Sequence, residues 1–167
     1  MIQQMKQLLR RDSHPELPLD PDAAQPGRYK WPPYFTPTFI LVVFVGGCAG
    51  TVARYGISVA MPTAGDWPTG ILCINLSGAL LLGMLLEGLS RLGPDEGARR
   101  IVRLAAGTGF LGAFTTYSTF AVGAVTLLAN GESASAVGYM IATVGGGLLC
   151  SMLGIWLAAT HHAQRAR

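Results

Sequence analysis

Charged side chains are scarce in this sequence, and carboxylates are nearly absent from its long apolar runs. Of the 167 residues, 13% are charged and 50% are hydrophobic. The single acidic residue within any of those runs is Glu87, near the end of the second. A small proton-coupled exporter of toxic cations needs a titratable carboxylate at mid-membrane. This shortage counts against that class, which stays the alternative function.

The sequence also lacks the residue sets that usually mark metal sites and enzymes. Its three cysteines lie in different apolar runs without a C-x-x-C pair, and its three histidines lie in the terminal segments. The cysteine pattern predicts no disulfide framework. No nucleophile–base pair or metal-ligand set occurs within the apolar runs, so we expect no enzyme.

What the chain does have is four apolar runs of membrane-spanning length, at 38–60, 70–89, 104–129 and 135–159. A helix needs about 20 predominantly apolar residues to cross a bilayer. The pattern therefore predicts an all-α integral membrane protein with four transmembrane helices. We expect a disordered N-terminal extension over 1–37, a transmembrane domain over 38–160 and a cytoplasmic C-terminal tail over 161–167.

The basic residues predict one orientation in the membrane. Five precede the first run, four lie between the second and third, two follow the fourth, and the connections 61–69 and 130–134 have none. One side of the membrane therefore has eleven basic residues and the other has none, which places both termini in the cytoplasm by the positive-inside rule. Trp67 and Trp156, near the ends of two runs, fit the aromatic belt at the membrane interface.

The third run is interrupted by hydrogen-bonding residues in the stretch GFLGAFTTYSTF, residues 109–120. Glycines weaken a helix, and Thr and Ser can bond to backbone that leaves the regular ladder. The stretch predicts a third helix broken near its middle, with backbone that holds an ion or lines a polar cavity. Tyr117 and Phe120 share a face and could turn partly positive ring edges to an anion. The alternative is a hydroxyl-rich packing helix.

Other polar residues in the runs each allow two interpretations. Asn75, the only amide in these runs, either forms a hydrogen bond between helices or donates to a dehydrated anion. Arg54 either bonds backbone carbonyls or attracts an anion at a vestibule. Thr143 belongs to a stripe of four residues, spaced four apart on the fourth run, that is either a polar track or a packing seam. Gly46 and Gly50, at G-x-x-x-G spacing, predict a helix-packing face.

Three stretches together resemble the Fluc fluoride-channel family, also called CrcB. They are GGCAGTVARYGIS in the first run, GILCINLSGALLLG in the second and GFLGAFTTYSTF in the third. The resemblance covers about 46–156. It implies a four-span protein that assembles as an antiparallel dimer with two pores and a sodium ion on the dimer axis. The implied function is passive, fluoride-selective export across the bacterial inner membrane, which relieves fluoride toxicity.

The resemblance also implies roles for individual residues. Sodium would be held by backbone carbonyls of Gly112 and Thr115 at the helix break. The implied pore and fluoride contacts are Asn75, the aromatic pair Tyr117 and Phe120, the hydroxyls of Ser118 and Thr119, Thr143 on the fourth helix, and Arg54 at the pore mouth.

The chain departs from the family pattern in two respects. Tyr117 stands where the family usually has Phe, so its hydroxyl needs a partner. An antiparallel homodimer inserts in both orientations and needs nearly balanced loops, whereas the loops here are strongly biased. The partner is therefore either a second copy or, as the charge bias favours, a sister subunit of opposite bias.

Overall fold

The computed structural model describes residues 36–61 and 67–165, with side chains described up to 162. The predicted extension over 1–37 lies almost entirely outside the described residues, as do the last two residues of the tail. The helical elements, in chain order, are α1 Pro37–Ala60, α2 Thr69–Arg91, α3 Ala98–Val102, a π-helix Arg103–Leu111, α4 Gly112–Phe114, α5 Tyr117–Ala129 and α6 Ser133–Arg165.

These elements form four helices that are long and apolar enough to cross a membrane, of 24, 23, 32 and 30 residues. At a rise of about 1.5 Å per residue, even the shortest exceeds the roughly 30 Å hydrocarbon core. The described chain contains no β-strand. The prediction of an all-α membrane protein with four spans is confirmed.

The helix ends differ from the hydropathy boundaries. The third span begins at Ala98 rather than at 104, and α6 continues to Arg165, through most of the predicted tail. The added turn of the third span is polar: Arg103 Nη2 lies 2.8 Å from Asp95 Oδ2, and Arg100 Nε donates to the Asp95 carbonyl at 3.0 Å. Apolarity marks the membrane core, whereas charged turns extend a helix beyond it.

The helices pack as two close pairs, α2 with α6 and α1 with the π-helix and α4. Glycines permit the second contact: a Cβ at Gly46 would overlap the Ala105 carbonyl oxygen, and one at Gly50 would overlap that of Phe110. The predicted G-x-x-x-G packing face is therefore confirmed, with the π-helix of the same chain as its partner.

The buried core lies where α2, α4, α5 and α6 meet the end of the π-helix. Its members are Ile71, Ile74, Leu111, Phe114, Phe120, Ala124, Leu127, Ala136 and Tyr139. Much apolar surface stays exposed on the single chain, including Phe44, Val52 and Tyr55 on α1. A bilayer or a second subunit is the environment that such faces require.

Candidate ion pathway at the helix break

The third span is broken at two residues. Helix α4 ends at Phe114, and Thr115 follows with ψ 156°. Thr116 is also extended, with φ −147° and ψ 125°, and α5 begins at Tyr117. This confirms the predicted break near the middle of the helix and places it at the first two hydroxyl residues of the motif, after its two glycines.

Asn75 on α2 holds the break in place. Its Nδ2 donates to the Thr116 carbonyl at 3.0 Å, and its Oδ1 accepts the Thr116 N–H at 2.9 Å. Both backbone groups of Thr116, which the helix ladder no longer pairs, are thereby satisfied. The interhelical role of Asn75 is present in the structure. One hydrogen of its NH₂ group has no acceptor among the described residues and is available to a second ligand.

Thr116 also starts the helix that follows the break. Its Oγ1 accepts the Thr119 N–H at 3.2 Å and lies 3.2 Å from the hydroxyls of both Ser118 and Thr119. Thr116 itself is buried. It was not among the site residues that the sequence predicted, although a Thr directly before a resumed helix is a typical N-cap. That signal could have identified it.

The break redirects the hydrogen bonds that two carbonyl groups would normally accept. In a regular helix, the Thr116 N–H bonds to Gly112 and the Thr119 N–H bonds to Thr115. Here those donors go to Asn75 Oδ1 and to Thr116 Oγ1. The carbonyls of Gly112 and Thr115 therefore lose their regular donors, which suits an oxygen-liganded cation. The described residues contain no His, Cys, Asp or Glu cluster for a metal.

Two aromatic side chains flank the break on its α5 side. The Tyr117 and Phe120 ring centroids lie 5.8 Å apart with planes at 52°. Tyr117 is 80% exposed and Phe120 only 9%. Phe120 also packs on Tyr139 of α6, with centroids 5.4 Å apart. The predicted pair is thus adjacent, but only one member is held by the core.

A groove of about 350 Å³ brings most of the predicted polar and aromatic groups together. Its lining includes Asn75, Thr115, Thr116, Tyr117, Phe120 and Thr143. Thr143 is buried and its Oγ1 donates to the Tyr139 carbonyl at 2.8 Å. Gly112, Ser118 and Thr119 lie beside the break but do not line the groove. The lining contains no carboxylate.

Arg54 lies apart from this group, half-buried on α1. Within the part of the chain that the structure describes, its side chain has no hydrogen-bond or ion-pair partner. The backbone-bonding interpretation therefore has no support among those residues. If the undescribed residues offer no partner either, this guanidinium is available to an anion.

Comparison with known proteins identifies the family. A family model described as "CrcB-like protein, Camphor Resistance (CrcB)" matches residues 41–155. The chain belongs to the CrcB family. The matched range contains the Asn75 motif and the whole helix break, and it leaves the N-terminal extension outside, as the resemblance predicted.

Several CrcB relatives are similar over most of their length. One, named fluoride-specific ion channel FluC 2, from Leifsonia xyli, is 44% identical over 83% of this chain and 95% of its own. A FluC 1 from Cutibacterium acnes is 46% identical over 68% and 80%, respectively. A FluC 2 from Moorella thermoacetica is 46% identical over 71% of this chain and 94% of its own. The resemblance to fluoride channels is therefore confirmed at the level of the family.

Proposed function

We propose that this chain is a subunit of a fluoride-selective channel that exports fluoride passively and so relieves its toxicity. The observation that carries the proposal is the helix break held by Asn75 in a chain whose CrcB relatives are named fluoride-specific ion channels. The break gathers amide, hydroxyl and aromatic groups around one groove in a membrane-spanning helix bundle.

The chemistry of the groove suits a small, strongly hydrated anion. Dehydrated fluoride needs several donors close together, and conduction requires that binding stay weak enough for release. The unused N–H of Asn75 and the ring edges of Tyr117 and Phe120 are neutral or partly positive groups that meet both needs. Ser118 and Thr119 add hydroxyl groups close to this path. Thr143 would have to release the Tyr139 carbonyl before its hydroxyl could donate to the anion. Arg54 raises the local anion concentration at the mouth.

A sodium ion at the break belongs to the same proposal. The carbonyls of Gly112 and Thr115 would hold it, because their regular hydrogen-bond donors are engaged by Asn75 and Thr116. Bound there, sodium supplies a fixed positive charge that steadies the broken backbone. Two carbonyls from one chain make a partial ligand set, and a partner subunit related by an exact or approximate twofold axis would double it.

The assembly that completes this site is an antiparallel dimer in the bacterial inner membrane. The charge bias of eleven basic residues against zero favours a single orientation with both termini cytoplasmic. We therefore favour an oppositely oriented sister subunit over a second copy. Cysteines introduced at Asn130 and at Gln164 should label from opposite sides only. Equal labelling of each site from both sides would mean dual insertion and would favour the homodimer.

Growth of a fluoride-sensitive bacterium tests the function. A strain without its own fluoride exporter, carrying this chain with or without a candidate sister chain, should grow at fluoride concentrations that stop the empty-vector control. Resistance to toxic cations should not change. Sensitivity in both arrangements, with the protein present in the membrane, would contradict the proposal. Resistance to cations that depends on the proton gradient would favour the alternative exporter.

A further inference from the structure

Three aromatic rings connect the start of α2 to the groove at the break. The Trp67 ring meets the Tyr139 ring edge-on, with centroids 6.0 Å apart and planes at 72°. Tyr139 then packs on Phe120 at 5.4 Å and 39°. Phe120 lines the groove, whereas Trp67 and Tyr139 do not. The ring contacts give Trp67 a route to the groove through Tyr139.

The orientation of Phe120 is fixed mainly from the Tyr139 side. Tyr139 is 0% exposed, so its ring is enclosed by the core, whereas Tyr117, the other ring against Phe120, is 80% exposed. An aromatic ring is partly positive at its edge and negative on its face. Rotation of Phe120 would exchange an attractive edge for a repulsive face toward an anion in the groove.

Trp67 and the next residue are seated between α5 and α6. A Cβ at Gly138 would lie 3.1 Å from Trp67 Cζ2, and a Cβ at Gly123 would lie 2.8 Å from Pro68 Cγ. Trp67 packs against the buried core. An interfacial anchor needs no such seat: Trp156, at the far end of α6, is 60% exposed. The aromatic belt alone does not account for the position of Trp67.

We propose that Trp67 is a positioning residue that sets the orientation of Phe120 through Tyr139, and thereby the discrimination between fluoride and chloride. This inference rests on the proposed function, because it takes Phe120 to face the permeating anion. It goes beyond that function by giving the connection between the first two spans a part in selectivity.

Single-channel recording in planar bilayers tests the proposal, with the protein in whichever assembly conducts. The variants are Trp67→Ala, the conservative Trp67→Phe and the matched control Trp156→Ala. Unitary current reports one channel at a time, so it is insensitive to a loss of folded protein. We expect Trp67→Ala to lower the unitary fluoride current roughly two- to tenfold, the range that one aromatic pair supports. It should also raise the chloride-to-fluoride permeability ratio.

Both other variants should behave differently from Trp67→Ala. Trp67→Phe keeps a ring against Tyr139 and should recover most of the current, and Trp156→Ala should match the unsubstituted chain. Fewer Trp67→Ala channels, each with normal current and selectivity, would show a merely structural role and overturn the proposal.

If Trp67→Ala does not fold, a milder variant tests whether Trp67 positions Phe120. Gly138→Ala presses a methyl group on the indole and should change current and selectivity in the same direction, by less. Unchanged values for this variant would overturn the proposal. Failure of the unsubstituted assembly to pass fluoride would instead overturn the proposed function itself, and this inference with it.

Discussion

Replacement of Asn75 by leucine tests the central structural feature of the site. Leucine keeps the branched side-chain skeleton and the number of non-hydrogen atoms, although its methyl groups are bulkier. It has no hydrogen-bonding group, so the Thr116 N–H and carbonyl lose their partners at 2.9 and 3.0 Å. Each buried, unpaired backbone group costs about 1–3 kcal/mol. Thr116 is only 7% exposed, but the adjoining groove can admit water. We therefore expect a total destabilisation of about 2–4 kcal/mol, toward the lower end of the combined range.

The consequence for transport follows from the size of that shift. Every 1.4 kcal/mol changes a population about tenfold. Because the broken backbone loses about 2–4 kcal/mol of stabilisation, fluoride efflux from liposomes should fall at least tenfold. The melting temperature in detergent should also fall. The matched control is Ser77→Ala on the same helix. Among the described residues, the Ser77 hydroxyl donates only to the carbonyls of Cys73 and Ile74 in its own helix. If Asn75→Leu and Ser77→Ala gave the same fluoride efflux and the same melting temperature, the reasoning would be refuted.

Three further variants probe the Tyr117 ring, the glycine contact at Gly50 and the Arg54 side chain. Tyr117→Phe should keep fluoride efflux within about twofold, since the ring edge survives; loss of efflux would show that the hydroxyl takes part in conduction. Gly50→Ala should destabilise the protein by about 1–3 kcal/mol, because a methyl group there overlaps the Phe110 carbonyl oxygen; an unchanged melting temperature would mean that α1 and the π-helix are less closely packed. Arg54→Gln should lower fluoride flux more at 10 mM than at 500 mM ionic strength, because salt screens the attraction; a deficit independent of salt would assign Arg54 a structural role.

The parts of the fold that depend on composition were predictable. Four apolar runs define four spans, because the bilayer demands about 20 apolar residues from each helix. The break was also predicted, because glycines weaken a helix and Thr and Ser side chains can bond to the backbone that leaves it; the packing helix was the alternative. The π-helix was not predicted; the structure shows it packed against the glycine face of α1. The helix ends were missed because arginines that pair with Asp95 extend the third span past its apolar core.

The candidate site was predicted in its members more than in its arrangement. Asn75 and the residues of the break were identified, but spacing alone could not show that Asn75 binds both backbone groups of Thr116 across 41 positions. For the same reason, Thr116 was overlooked, although it both receives the Asn75 hydrogen bonds and caps the start of α5. Spacing along a chain indicates shared helix faces, whereas contacts between helices depend on their packing.

Fluoride efflux from liposomes tests the central claim most directly. The purified chain, alone and with a candidate sister chain, should release fluoride but not chloride, as read by ion-selective electrodes. Release by this chain alone would show that it suffices and would contradict the preference for a sister subunit. A well-folded protein that releases no fluoride in either arrangement, or releases chloride equally fast, would contradict a fluoride-selective pathway at the helix break.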